Sequence, residues 1–164
     1  MKFLAKIDLY IENFIVKFRQ RNDMKKILTI LALLSRLLAD DTNDFDNIKE
    51  EDVPKILSII KDGTKEHLPI MLDDYTTLVD IVSVQNAIEY RNRINSHNEY
   101  VQSILKADKG TLIKTTFENN RGYLCSDTET RELLRKGAIF VYVFYDLNNT
   151  EIFKFAIQNK DCQP

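Results

Sequence analysis

Apolar residues recur at helical spacing through the first part of the chain. Phe3, Ile7, Tyr10, Ile11, Phe14 and Phe18 form one stripe over residues 3–20, with Lys6, Asp8, Glu12 and Lys17 largely off it. The pattern predicts an amphipathic helix. Its mixed-sign polar face favours packing on a core or a partner over a membrane surface. Arg19–Asp23 is a polar break. Residues 24–39 predict a second helix, apolar over a wide arc at Ile27, Leu28, Ile30, Leu31, Leu33, Leu34, Leu37 and Leu38. Such width suits an element buried on several sides, at the centre of a bundle.

Asp40–Asn47 is an acidic connection. Glu50, Glu51 and Asp52 then crowd a helix start, where the helix dipole favours negative charge, and Pro54 fits the first turn. Val53, Ile56, Leu57 and Ile60 make the inward stripe, and Gly63 is a natural terminator. Residues 65–73 are ambiguous around Pro69, with His67 in a loop. Asp74 is a credible cap for a long helix from Tyr75 to Lys106, with Leu78, Ile81, Val82 and Ile88 on its apolar face.

The pattern changes at Lys109-Gly110. Thr111–Phe117 and Tyr123–Cys125, separated by Asn119-Asn120 and Gly122, predict a β-hairpin. Asp127–Lys136 reads as a short helix ended by Gly137. Ile139–Tyr145 and Ile152–Ile157, joined through Asn148-Asn149, predict a second hairpin. Ile139–Tyr145 is apolar on both faces, as in a strand buried centrally in a small antiparallel sheet. The expected class is α+β: a helical bundle over residues 1–107, then a small antiparallel β-rich unit over 108–164 packed on it.

Composition narrows the function classes. The 164 residues are 44% hydrophobic and 29% charged, which suits one globular domain or a domain with an appendage. A net charge of −2 provides no global basic field for nucleic acid. Any RNA would be held by a local patch. With no Trp in the chain, base stacking would fall to Tyr and Phe. Cys125 and Cys162 are too few for a disulfide framework, and read as free thiols of a reducing cytoplasm. His67 and His97 are the only histidines, so neither a metal nor a cofactor is expected. Met24-Lys25-Lys26 followed by Ile27–Ser35 resembles the basic start and apolar core of a signal peptide. Its position inside the chain and the interrupting Arg36 favour a buried helix, and the run is too short to span a bilayer.

Candidate chemistry concentrates in Tyr90-Arg91-Asn92-Arg93-Ile94-Asn95-Ser96-His97-Asn98-Glu99-Tyr100. Histidine exchanges protons near neutral pH, and arginine is a permanent planar cation suited to phosphate oxygens. On one regular helix Arg91 and His97 would lie roughly 120° apart, whereas Arg93 and His97 would share a face. Tyr90, Ile94, His97, Val101 and Leu105 also fit a helical packing stripe, which would make His97 a buried structural histidine.

This string resembles the Arg-Asn…His signature of HEPN domains, particularly the abortive-infection U-type pattern. Arg93 stands for its Lys, Ser96 for its Ala and Glu99 for its Asp. The upstream Leu33–Asp41 segment is similar to a Ser-Arg-Leu element of those proteins, and the likeness spans roughly residues 27–105. The resemblance implies a HEPN-like bundle and a metal-independent endoribonuclease of the toxin or phage-defence kind. His97 would transfer protons at the ribose 2′-hydroxyl or leaving oxygen, Arg91 would stabilise phosphate charge, and Asn92 would orient the site. Tyr90, Arg93 and Asn95 would bind substrate. A homodimer would bring two copies of Arg91 and His97 to one cleft, with RNA as substrate and an antitoxin or other protein as possible partner. The alternative reading is a non-catalytic helical interaction module: an immunity, antitoxin-like or regulatory protein, or a phage-encoded inhibitor.

Overall fold

The computed structural model describes residues 48–163, so the two expected helices over 3–20 and 24–39, and the Leu33–Asp41 element, lie outside the described residues. A short 3-10 turn, Glu50–Asp52, leads into helix α1 (Val53–Lys65). Strands β1 (Ile70–Met71), β2 (Thr76–Val84) and β3 (Ala87–Ile94) follow. Helices α2 (Glu99–Ala107), α3 (Lys109–Ser126) and α4 (Thr128–Arg135) form a crossover to β4 (Ile139–Tyr145) and β5 (Glu151–Ile157). A terminal 3-10 turn spans Asn159–Cys162.

The strands form one sheet in the order β1-β2-β3-β4-β5. β3 and β4 run parallel, while the other neighbours are antiparallel. The sheet is therefore mixed, and it takes strands from both sides of Ala107. The expected N-terminal bundle reaching Lys106 does not form: residues 76–94 are a β-hairpin. The physical reason lies at Val79. A bulge there breaks the register between Leu78 and Asp80, so the core-facing Leu78 and Ile81 stand three residues apart and mimic a helical stripe. The β-branched content of Thr76–Val84 is the competing signal, and it wins.

The hairpin expected over Thr111–Cys125 is instead the interior of α3. Asp108 caps it by accepting the Thr111 N–H at 2.9 Å. Thr116 Oγ1 donates to the Leu112 carbonyl and Asn120 Nδ2 to the Thr116 carbonyl, so a residue read as strand and one read as a turn former each bond one helical turn back. Gly63 lies within α1 and does not end it. The helix start at Glu50–Asp52, the short helix before Gly137 and the β4–β5 hairpin appear as the pattern predicts. At Gly137 φ is +93°, where a side chain would be strained, and the next N–H reaches the Leu133 carbonyl at 2.9 Å.

Alternation along the strands sorts side chains onto two faces. Leu78, Ile81, Ile88, Tyr90, Asn92 and Ile94 share one face with Phe140, Tyr142 and Phe144. Two apolar clusters cover this face. Val53 and Leu57 of α1, Leu124 of α3, and Leu133 and Leu134 of α4 close over Ile81, Ile88, Phe140 and Ile157. Val101 of α2 joins Ile94, Phe144 and Phe153 at the other end. Stacked rings tie the strands together, with Tyr90–Tyr142 centroids 5.2 Å apart and Phe144–Phe153 centroids 4.4 Å apart. The second face carries Thr77, Asp80, Glu89, Arg91 and Arg93 beside Val141, Val143, Tyr145 and Lys154.

Cys125, near the end of α3, is bonded to Cys162 in the terminal turn, with Cα atoms 5.3 Å apart. The thiols expected to be free are joined. Their sequence spacing carried no sign of this, because pairing depends on where the last turn returns to α3.

Candidate functional site

Because β3 and β4 are parallel, their C-terminal ends lie together, and the antiparallel partners bring two turns to the same end. The β1–β2 turn, the β3–α2 loop and the β4–β5 turn meet there. Each is built by a side chain bonding its own backbone. Asp73 Oδ1 accepts the Tyr75 and Thr76 N–H groups, both at 2.7 Å. Asp146 Oδ1 accepts those of Asn148 and Thr150, both at 2.8 Å. Asn98 caps α2 by accepting from Tyr100 and Val101. Asn95 N donates to the Tyr75 carbonyl at 2.8 Å, joining the first two loops.

These loops enclose a cleft of about 310 Å³. Arg93 and Thr77 come from the strands, Asp73, Asp74 and Tyr75 from the first turn, and Asn95 from the second loop. Met71 and Leu147 form apolar walls, at 68% and 39% exposure. Burial raises the Asp73 carboxyl above its ordinary range, against the lowering effect of the Tyr75 and Thr76 bonds. Arg93 Nη2 donates to the Asn149 side-chain oxygen at 2.9 Å, while its buried Nε has no partner among the described residues. A buried donor left in that state costs roughly 1–3 kcal/mol.

The residues singled out from sequence scatter. Arg93 and Asn95 line this cleft together. Arg91 shares Arg93's face but is held by carboxylates, with Nε 2.7 Å from Glu89 and Nη1 3.2 Å from Asp80. Those bonds, Glu89 foremost, raise its pKa and occupy its charge. Asn92 points to the covered face, 2% exposed, with Nδ2 within 3.3 Å of the Tyr90 carbonyl. Tyr90 stacks on Tyr142 there, and burial raises its phenol pKa. His97 is exposed in the loop after β3, neither in a helical stripe nor beside Arg91 on one helix. Alternation therefore puts Arg91 and Asn92 on opposite sides of a sheet. Sequence reasoning missed Met71, Asp73, Tyr75, Thr77 and Leu147. The signal available was Asp73-Asp74 between the apolar Ile70–Leu72 and the β-branched run Thr76–Val84, a turn rather than a helix cap.

Among the described residues a mixed sheet carries its helices on one face, and a disulfide joins α3 to the terminal turn; these features define the class of fold. No protein-family model and no curated protein matches the chain. Solved structures do. The chain is similar to the pilotin EpsS of the Vibrio vulnificus type 2 secretion system, at TM-score 0.55 and 17% identity, over 70% of this chain and 96% of that one. It is similar at TM-score 0.56 and 18% identity to a candidate secreted protein from Pseudomonas aeruginosa, over 70% and 96% of the two chains. The type II secretion pilotin AspS of Vibrio cholerae matches at TM-score 0.50 and 9% identity, over 69% and 95%. These are likenesses of fold.

They overturn the HEPN resemblance and what it implied. The Arg-Asn…His string lies on a strand and its following loop, and the fold neighbours are secretion pilotins rather than HEPN ribonucleases. The ribonuclease toxin, the RNA substrate and the homodimer with a composite cleft fall with that resemblance. The cytoplasmic assignment rested on two free thiols, and the Cys125–Cys162 bond removes that ground.

Proposed function

We propose that this chain is an exported protein-binding module of the kind represented by type II secretion pilotins, and that its partner is a polypeptide segment of a secretion apparatus. The observation that carries the reading is the likeness of fold to two pilotins over nearly their whole length. The disulfide supports an oxidising compartment, since such bonds persist outside the reducing cytoplasm. In that setting the Met24-Lys25-Lys26 start and the apolar Ile27–Leu34 run suit an export signal better than a buried helix. Arg36 then falls after the apolar core instead of interrupting it. The cleft at the end of the sheet supports a binding role: exposed apolar walls surround a few polar groups, one of them an arginine free of carboxylate partners among the described residues.

Deleting the encoding gene in its host and measuring type II exoprotein release tests the reading. Release should fall and return on complementation. The tagged chain should fractionate outside the cytoplasm, with Cys125 and Cys162 resistant to thiol labelling until reduced. Unchanged release together with a reduced cytoplasmic chain would refute the reading.

A further inference from the structure

We infer that the cleft at the C-terminal ends of β3 and β4 receives a single carboxylate from an apolar partner segment, with Arg93 as the receiving cation. The inference rests on the protein-binding reading and adds the chemistry of what is bound. Charge complementarity carries it. Arg91 and Arg93 share a sheet face, yet among the described residues carboxylates neutralise only Arg91 of the two, through Asp80 and Glu89. Among the described residues the one side-chain hydrogen bond of Arg93 is to the neutral Asn149 amide, and its buried Nε is unmatched. A planar guanidinium in this state is suited to a carboxylate, which accepts two parallel N–H bonds.

The other lining groups limit the charge of the ligand. Asp73 and Asp74 border the same cleft, so an acidic run or a phosphate dianion meets repulsion that one carboxylate escapes. Asp73 Oδ1 is held by the Tyr75 and Thr76 N–H groups, and among the described residues no ion pair joins this carboxylate to Arg93. Met71 and Leu147 flank the polar floor and stand well exposed, as residues that a partner's apolar side chains would cover. The occupant is therefore a segment with one Asp or Glu between apolar residues.

Titration of the isotopically labelled, oxidised chain with acetyl-Leu-Glu-Leu-amide, followed by NMR, tests this. Saturable shifts should appear at Arg93, Asn95 and Leu147. Binding should weaken roughly tenfold or more for acetyl-Leu-Gln-Leu-amide, as expected when a charge-assisted pair is lost, and also for acetyl-Glu-Glu-Glu-amide. Arg93→Gln should abolish the Glu preference, and Arg93→Lys should restore part of it. Leu147→Ser, at an exposed position that does not endanger folding, should weaken both Leu-flanked peptides equally. Equal affinity for the Glu and Gln peptides, tighter binding of the triple-Glu peptide, displacement by inorganic phosphate, or no saturable shift would each overturn the inference. Secretion that depends on the chain but tolerates Arg93→Gln would remove the cleft's role while leaving the pilotin-like reading. A Glu-selective cleft in a chain without effect on secretion would do the reverse.

Discussion

Breaking the Cys125–Cys162 bond should remove a large share of the stability of this chain. The bond closes a loop across a sequence separation of 37 residues. Loop-closure entropy for that length is about 4 kcal/mol, between the values of roughly 3 and 4.7 expected for loops of about 15 and 100 residues. Against a total stability of roughly 5–15 kcal/mol, that is a quarter or more. Other contacts hold the same junction: Arg121 Nη1 reaches the Asp161 carbonyl at 3.3 Å, and Cys162 itself adjoins the main core. The reduced chain should therefore stay folded but weakened. Urea unfolding of the oxidised protein, the reduced protein and a Cys125→Ser, Cys162→Ser variant is the assay. With a slope of about 1–3 kcal/mol/M, the midpoint should drop by roughly 1.3 M or more in both thiol-free cases. Midpoints agreeing within about 1 kcal/mol of stability, or two titratable thiols in the untreated protein, would refute the reasoning.

Core truncation should be costly at the fully buried Leu57 and Leu134: each Leu→Ala change is expected to lose about 2–5 kcal/mol in denaturant unfolding. Tyr90 and Tyr142 are held protonated by burial, so their folded pKa values lie above the ordinary phenol value. Their contribution is complete below about pH 10 and lost as pH rises further; Tyr142→Phe should move alkaline unfolding, followed by tyrosinate absorbance and circular dichroism, to higher pH. Asp127 caps α4 by accepting the Thr130 N–H at 2.8 Å, so Asp127→Ala should cost about 1 kcal/mol in thermal unfolding. Arg91→Ala breaks half-exposed ion pairs and should change stability by no more than about 1 kcal/mol in the same measurement.

What the sequence disclosed depended on how local each feature is. The α1 start, the Gly137 stop and the β4–β5 hairpin are written in neighbouring residues: an acidic 3-10 turn running into Pro54, a left-handed glycine, and Asn148-Asn149 between aromatic runs. The β2–β3 hairpin was hidden twice. The Val79 bulge turned a period of two into an apparent helical spacing, and the turn uses Gln85 at φ 53° where glycine would have marked it. The α3 residues Asn119, Asn120 and Gly122 suggest a turn by composition, yet Asp108 and Asp127 cap the helix on either side of them. The cleft was least legible. Arg93 and Asn95 drew notice for a chemistry that needs Arg91, Asn92 and His97 on one surface, and a strand cannot provide that. Met71 joins them through the antiparallel β1–β2–β3 register, and Leu147 only through the parallel pairing of β3 and β4, which no local pattern encodes.

That pairing also orders the assembly of the chain. β2–β3 and β4–β5 can zip from their turns, but β3 and β4 meet across long separations, such as the 51 residues between Asn92 and Val143. Parallel strands need a crossover, here α2, α3 and α4, and loop closure must be met before the ladder forms. The two hairpins are therefore early, local structures, and the central ladder is the slow non-local step. Until it closes, the edges that β3 and β4 will present to each other stand open to other chains. A cell making this protein has its greatest exposure to aggregation at the middle of the sheet, not at its rim.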